Sequence, residues 1–300
     1  MTPVTVKVPA KLNLQLSVGP RRADGYHDLV TVFHAVSLYD TVTVAPSDRD
    51  EITVTGEGAR AVPQDADNLA LRAVAALRAA LPGVIEPVRV TIVKRIPVAA
   101  GLAGGSADAA AALVACNELW DTGLSQQQLC AVAAQVGSDV AFAVLGGTAV
   151  GRGRGEDLTP ALAPSAQYHW VLAFADGQLA TPEVYATLDR LRPGYGTAPE
   201  LDPALMTALR AGDPVRVGKA LSNDLQPAAL SLFPALRKTL MAGTELGALG
   251  ALVSGSGPTC VFLARNAARG LDLAAALSGA GVCRSVATVT GPVSGAGITR

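Results

Sequence analysis

The sequence predicts an α+β protein of two domains, and three observations predict it. The first quarter alternates apolar and polar residues with a period of two, as at Val42-Thr43-Val44 and Ile52-Thr53-Val54. The middle joins a strand-like run to an alanine-rich helix through a loop without bulk, Pro97 to Asp108. The second half reads as β, helices, β, helix, β, the order of an α+β sandwich. The boundary is expected near Gly155, giving a first domain over residues 1–155 and a second over 156–300.

Taken in order, Val4 to Val8 and Leu12 to Val18 read as strands, interrupted at Pro9-Ala10-Lys11 by a bulge. Asn68 caps a helix from Leu69 to Leu81, since its side chain can accept from the first free backbone N–H groups. A strand at Val88 to Val93 delivers Lys94-Arg95 and the glycine loop, and a helix from Ser106 runs to Trp120, with Asp108 in its first turn where a carboxylate suits the dipole. Ser125 with Gln128 forms a capping box for the next helix, which ends near Gly137. Ser138-Asp139 opens an apolar helix that closes at Gly146-Gly147. From Pro160 to Pro203 prolines punctuate short helices, and strands resume at Leu252-Val253, Val261 to Leu263 and Val286 to Val289.

Half of the 300 residues are hydrophobic, 31 are glycine and the net charge is −1. Such a chain can bury a large core, and it lacks the broad basic field on which nonspecific nucleic-acid binding depends. An anionic ligand must therefore be held locally, which fits a small molecule better than a polymer. Cys116, Cys130, Cys260 and Cys283 are widely spaced and sit mostly in apolar runs, as reduced core thiols do. Met1 to Ala10 alternates as a strand rather than as a charged-then-apolar signal, and no run of about 18 apolar residues occurs. The expectation is a cytoplasmic protein with neither membrane nor nucleic-acid partner.

The Pro97 to Asp108 loop is the strongest chemical signal. Gly101, Gly104 and Gly105 permit close backbone approach, and the helix start behind them offers free N–H groups and a positive dipole end to a phosphate. It is neither a Walker A loop, having no lysine after the glycines, nor a Rossmann fingerprint, and protein-kinase signatures are missing. A tight turn before a buried helix is the other reading of the same residues. Phosphoryl transfer needs a phosphate cradle, a cation and a group that positions or deprotonates the acceptor hydroxyl. Lys11, in a strand break between apolar neighbours, is the candidate cation. Asp139, at a helix start, is the candidate base, with a purely structural capping role as its alternative. Ser254-Gly255-Ser256-Gly257-Pro258 can close on phosphates or brace the first loop, and Arg21 to His27 has the make-up of a ligand-binding loop. His27, His34 and His169 lack metal-ligand spacing, so no resident metal is expected and magnesium is expected to arrive with a nucleotide. Arg152 and Arg154 are left without a role.

Together, Pro9-Ala10-Lys11-Leu12-Asn13-Leu14, the Pro97 to Asp108 loop and Ser254-Gly255-Ser256-Gly257 resemble the GHMP kinase superfamily, in an order that covers nearly the whole chain. The first string followed by Arg21-Arg22-Ala23-Asp24-Gly25-Tyr26-His27 resembles the branch that acts on a cytidine diphosphate-linked methylerythritol in the non-mevalonate route to isoprenoids. Ser222-Asn223-Asp224-Leu225 fits the same branch. The resemblance implies a ribosomal S5 domain 2-like N-terminal domain that binds ATP, a ferredoxin-like C-terminal α/β sandwich, and a site in the cleft between them. It implies ATP-dependent phosphorylation of the acceptor's 2-hydroxyl, with Asp139 as base and Lys11 as its electrostatic partner. It places ATP on Pro97, Val98, Ala99, Ala100, Gly101, Leu102, Ala103, Gly104, Gly105, Ser106 and Ala107, with Lys94 and Asn68 near the adenine. It places the substrate on Asn13, Tyr26, His27, Thr181 and Tyr185, the tyrosines sandwiching the cytosine and His27 reading its edge.

Two departures from the pattern stand out. Ala99, Ala100 and Ala103 occupy loop positions where related sequences often carry glycine, which leaves the loop's conformation open. Tyr185 replaces a phenylalanine and keeps the stack. A monomer or weak homodimer acting on a small molecule is expected. The rival readings are a homoserine- or mevalonate-type kinase, which keeps the loop but lacks a cytosine slot, and a noncatalytic nucleotide- or RNA-binding protein of the same fold.

Overall fold

Two long antiparallel strands, β1 (Val4–Arg21) and β2 (His27–Pro46), form the spine of the first sheet in the computed structural model, which describes residues 2–83, 86–161, 166–193 and 197–299. β1 is continuous through Pro9. The expected irregularity is there, but the extra residues lie in the partner strand: Pro9 pairs with Tyr39 and Ala10 with Val36, so Ser37 and Leu38 bulge out of β2. Both strands lose their alternation at their centres because the sheet is covered on both faces there; Val8 to Leu16 are all buried.

β3 (Glu51–Gly56), α1 (Leu69–Ala79) and β4 (Val88–Lys94) follow, with β3 parallel to β4 and β4 antiparallel to β2. α2 (Gly104–Leu119), α3 (Gln126–Val136) and α4 (Ser138–Leu145) come next, and the Ser125–Gln128 capping box starts α3 as its spacing predicts. α2 is buried through its middle, and its run Ala109 to Ala112 is fully buried, so small side chains let this helix lie close against β1, β2 and α1. It begins at Gly104 rather than at Ser106, because Ala103 in the left-handed region already turns the chain into it. Asp108 therefore falls beyond the first turn and is buried. It is not a dipole-facing charge, which corrects the expectation.

The hairpin β5 (Thr148–Arg152) and β6 (Asp157–Pro160) carries the first sheet past Gly155, the expected boundary lying in its turn. The second half consists of β7 (Tyr168–Phe174), α5 (Thr181–Leu191), α6 (Pro203–Ala211), α7 (Pro214–Lys219), β8 (Ser222–Asn223), α8 (Gln226–Leu232), α9 (Leu236–Glu245), β9 (Gly250–Val253), β10 (Cys260–Ala264), α10 (Ala267–Gly279), β11 (Ser285–Gly291) and β12 (Gly297–Ile298). Its sheet has the order β11-β7-β10-β9, antiparallel throughout, which is the ferredoxin-like arrangement. β8 and β12 cross over to pair with β1. One apolar cluster runs from Val6 and Val8 to Trp170 and Leu172, so the halves share a core and the cleft between them has a fixed floor. All four cysteines are free, and burial pushes the Cys116 and Cys260 thiols up to about 12.

Candidate active site

Lys11 lies in the doubly covered centre of β1, beside the start of α4. Its ammonium donates to Asn13 Oδ1 at 2.7 Å and stands 3.7 Å from Asp139 Oδ2. The fold thus brings together two residues that no local periodicity relates. Asn13 is fixed in turn, its amide donating to Thr31 Oγ1 at 2.8 Å while that hydroxyl donates to the Gln15 carbonyl at 2.7 Å. Asp139 sits in the first turn of α4, where the free N–H groups favour a negative charge, and its carboxylate is 33% exposed to a cleft of about 970 Å³.

The Pro97 to Ala107 loop forms one wall. Ala99, Ala100, Gly101, Ala103 and the 104–106 stretch line the cleft, while Leu102 and Ala107 are buried behind it and Val98 packs against Gly58. Ala99 and Ala103 hold φ of 51° and 57°, left-handed values that alanine adopts only against strain. Gly101, with φ of 74°, is irreplaceable on space alone: a Cβ there would come within 2.1 Å of the Ser254 carbonyl oxygen. The second glycine turn braces the first, since Ser254 Oγ donates to the Gly101 carbonyl at 3.1 Å and Gly255 approaches both Asn13 and Lys11. Asn223 in β8 holds that turn from behind, its amide donating to the carbonyls of Val253 and Gly255, both at 2.7 Å.

Lys94 and Asn68, expected near the adenine, do not line the cleft. Lys94 is buried between Asp40 and Asp108, 2.7 Å from Asp108 Oδ2, directly under Gly104. Burial raises the Asp108 pKa, with Lys94 opposing and Asp40 adding to the rise, while the two carboxylates outweigh burial and raise that of Lys94. Asn68 uses its carbonyl to cap Ala70 and its amide on the Pro63 carbonyl. Lys94 thus supports the loop from below, and Asn68 secures the start of α1.

The far end of the cleft is aromatic. Tyr26 is exposed, with the Arg154 guanidinium 5.2 Å from its ring centroid, and the His27 and Tyr185 rings lie 5.1 Å apart at 33°. Thr181 Oγ1 pairs with Ser256 Oγ at 2.9 Å, joining this end to the second glycine turn. Burial, reinforced by the charge of Asp139, raises the Tyr185 phenol. Sequence reasoning missed Arg72, Asp189 and the 134–138 stretch, which also line the cleft. Helical spacing carried a signal for Asp189, which follows Tyr185 by four positions.

The region 68–147 matches the family of GHMP kinases N terminal domains, and 205–283 matches GHMP kinases C terminal. A protein of Mycolicibacterium smegmatis named 4-diphosphocytidyl-2-C-methyl-D-erythritol kinase is 57% identical over 98% of this chain and 91% of its own. One of the same name from Thermobifida fusca is 56% identical over 98% of each chain. The chain belongs to the 4-diphosphocytidyl-2-C-methyl-D-erythritol kinase family of GHMP kinases. It is an ATP-dependent small-molecule kinase. A crystal structure of a 4-(cytidine 5'-diphospho)-2C-methyl-D-erythritol kinase superposes with a TM-score of 0.75 at 34% identity, covering 95% of this chain and 98% of the other. Homoserine kinase from Cytophaga hutchinsonii superposes at 0.78 with 20% identity, over 100% of this chain and 98% of its own, which shows a shared fold. The matched family regions omit Lys11, Asn13, Tyr26, His27, Thr181 and Tyr185, so this part of the cleft lining lies outside them. Among its described residues no helix is long and apolar enough to cross a membrane.

Proposed function

We propose that this kinase transfers the γ-phosphoryl group of ATP to the 2-hydroxyl of 4-diphosphocytidyl-2-C-methyl-D-erythritol. The observation that carries the reading is the 3.7 Å approach of Lys11 to Asp139 at the point where the glycine loop meets the aromatic pocket. The residue 99–106 wall cradles the phosphates through backbone N–H groups and the α2 N-terminus. The Tyr26, His27 and Tyr185 cluster takes the cytosine, and Thr181 and Asn13 hold the acceptor between the two ends. Asp139 accepts the hydroxyl proton as the oxygen attacks the γ-phosphorus and the bond to ADP breaks. Lys11 offsets the negative charge gathering on the transferred group and keeps the acceptor oxygen anionic. Lys94 and Asn68 contribute by holding the loop and α1.

Among the described residues no cluster of three or more metal-ligating side chains occurs. The donor set fits a magnesium ion carried in by the nucleotide and held mainly by its phosphates, with the Ser106 hydroxyl in the cleft wall as the protein group that would help hold it. When bound it would neutralise phosphate charge. Replacing Asp139 by Asn tests the assignment: turnover falls roughly 10²- to 10⁴-fold while ATP affinity stays near wild type. Unchanged turnover removes Asp139 from the chemistry.

A further inference from the structure

His27 opens β2 and Asp189 lies near the end of α5, yet His27 Nε2 and Asp189 Oδ1 are 2.8 Å apart. Asp189 makes no other ion pair or side-chain hydrogen bond among the described residues. It follows Tyr185 by four positions, so one face of α5 presents both the ring that packs against His27 and the carboxylate that bonds it. His27 is 7% exposed, whereas the Asp189 side chain is 35% exposed, and both line the cleft. His27 Nδ1 has no hydrogen-bond partner among the described residues.

A carboxylate only accepts hydrogen bonds, so Nε2 must carry the proton that this contact shares. In a neutral imidazole that leaves Nδ1 as an acceptor, because the partner of one ring nitrogen dictates the state of the other. Cytosine and uracil differ at N3, which accepts in the one and donates in the other, and at position 4, which an acceptor at Nδ1 can read, where cytosine presents the N4 amino donor and uracil presents the O4 acceptor. An acceptor nitrogen favours the first and leaves the second facing a lone pair. We infer that Asp189 is a positioning residue that fixes His27 as its Nε2–H tautomer and thereby makes the pocket select a cytosine over a uracil base. The inference rests on the cytidine reading proposed above.

The experiment compares transfer to the cytidine diphosphate-linked methylerythritol and to its uridine counterpart by wild type, Asp189→Asn and Asp189→Glu. An asparagine amide can donate to Nε2 and so releases the constraint on the tautomer. Asp189→Asn lowers kcat/KM for the cytidine compound by roughly ten- to hundredfold and cuts the cytidine-over-uridine ratio by at least about tenfold. The loss falls on KM, with kcat within about threefold, since the base lies away from the reacting hydroxyl. Asp189→Glu keeps the carboxylate and restores most of the ratio, which a merely structural role does not require.

Nitrogen-15 spectra of the wild-type imidazoles at about pH 8 give a readout that needs no variant; the chain has only three histidines to assign. The Nε2–H form of His27 is expected, and an Nδ1–H form overturns the inference whether or not the variants fold. A selective wild type whose Asp189→Asn variant stays equally selective overturns this inference alone. A wild type indifferent to the base overturns the cytidine reading, and the inference with it.

Discussion

Gly101→Ala probes the joint between the two glycine turns. The substitution places a methyl carbon 2.1 Å from the Ser254 carbonyl oxygen, more than an ångström short of ordinary contact, and within 3.1 Å of the Gly257 N and O atoms. The obstacles are backbone atoms, so no side-chain rotation relieves them. The left-handed φ of 74° adds a cost of about 1–2 kcal/mol for any residue with a Cβ. Overpacking against a rigid neighbour adds about 1–3 kcal/mol, so the loss of stability is about 2–5 kcal/mol. The displaced turn also carries Gly255 beside Lys11 and Ser256 beside Thr181, and a shift of about an ångström at reacting groups costs on the order of a hundredfold in rate. Urea unfolding measures the first effect, and turnover with saturating ATP measures the second. A Gly101→Ala protein of wild-type stability and turnover would refute the view that the turns press on one another to shape the cleft.

Ala103→Gly acts in the opposite sense at the start of α2: it removes left-handed strain of about 1–2 kcal/mol and returns about 0.5–1 kcal/mol as unfolded-chain entropy, so urea midpoints show a small net gain. A clear loss contradicts the strained loop. Asp108 gives the pH dependence. Its folded pKa is raised by burial, so the native chain keeps a proton that the unfolded chain releases, and this contribution to stability is lost as pH climbs from about 4 through the raised value. Asp108→Asn cannot titrate there, and unfolding measured between about pH 5 and about pH 8 shows a slope shallower by up to one proton, about 1.4 kcal/mol per pH unit. An unchanged slope assigns the titration elsewhere.

Much of the architecture was legible where periodicity and capping speak locally. Asn68 and the Ser125–Gln128 box appear where their side-chain chemistry places them, and the helix at Ser138 starts where expected although Gly137 ahead of it offers no side-chain cap. β2 was legible only at its alternating end, because its first half is buried on both faces and period-two patterning vanishes there. The start of α2 was misplaced by two residues because Ala103 adopts a backbone conformation that its side chain disfavours, which no propensity signals. Lys11 and Asp139 were identified separately, but their meeting is a tertiary fact of β1 running past α4. Lys94 shows the converse. A basic residue just ahead of a phosphate loop reads as a ligand contact, yet Asp40 from β2 and Asp108 from α2 enclose it. Asp189 went unnoticed because its partner His27 lies 162 positions away.

The most direct measurement follows ADP release with magnesium and ATP, comparing 4-diphosphocytidyl-2-C-methyl-D-erythritol with homoserine, mevalonate and no acceptor. Release that depends on the cytidine compound alone is the predicted result. Release with homoserine or mevalonate in its place contradicts the cytosine pocket, and folded protein that releases no ADP with any acceptor contradicts the phosphoryl-transfer site itself.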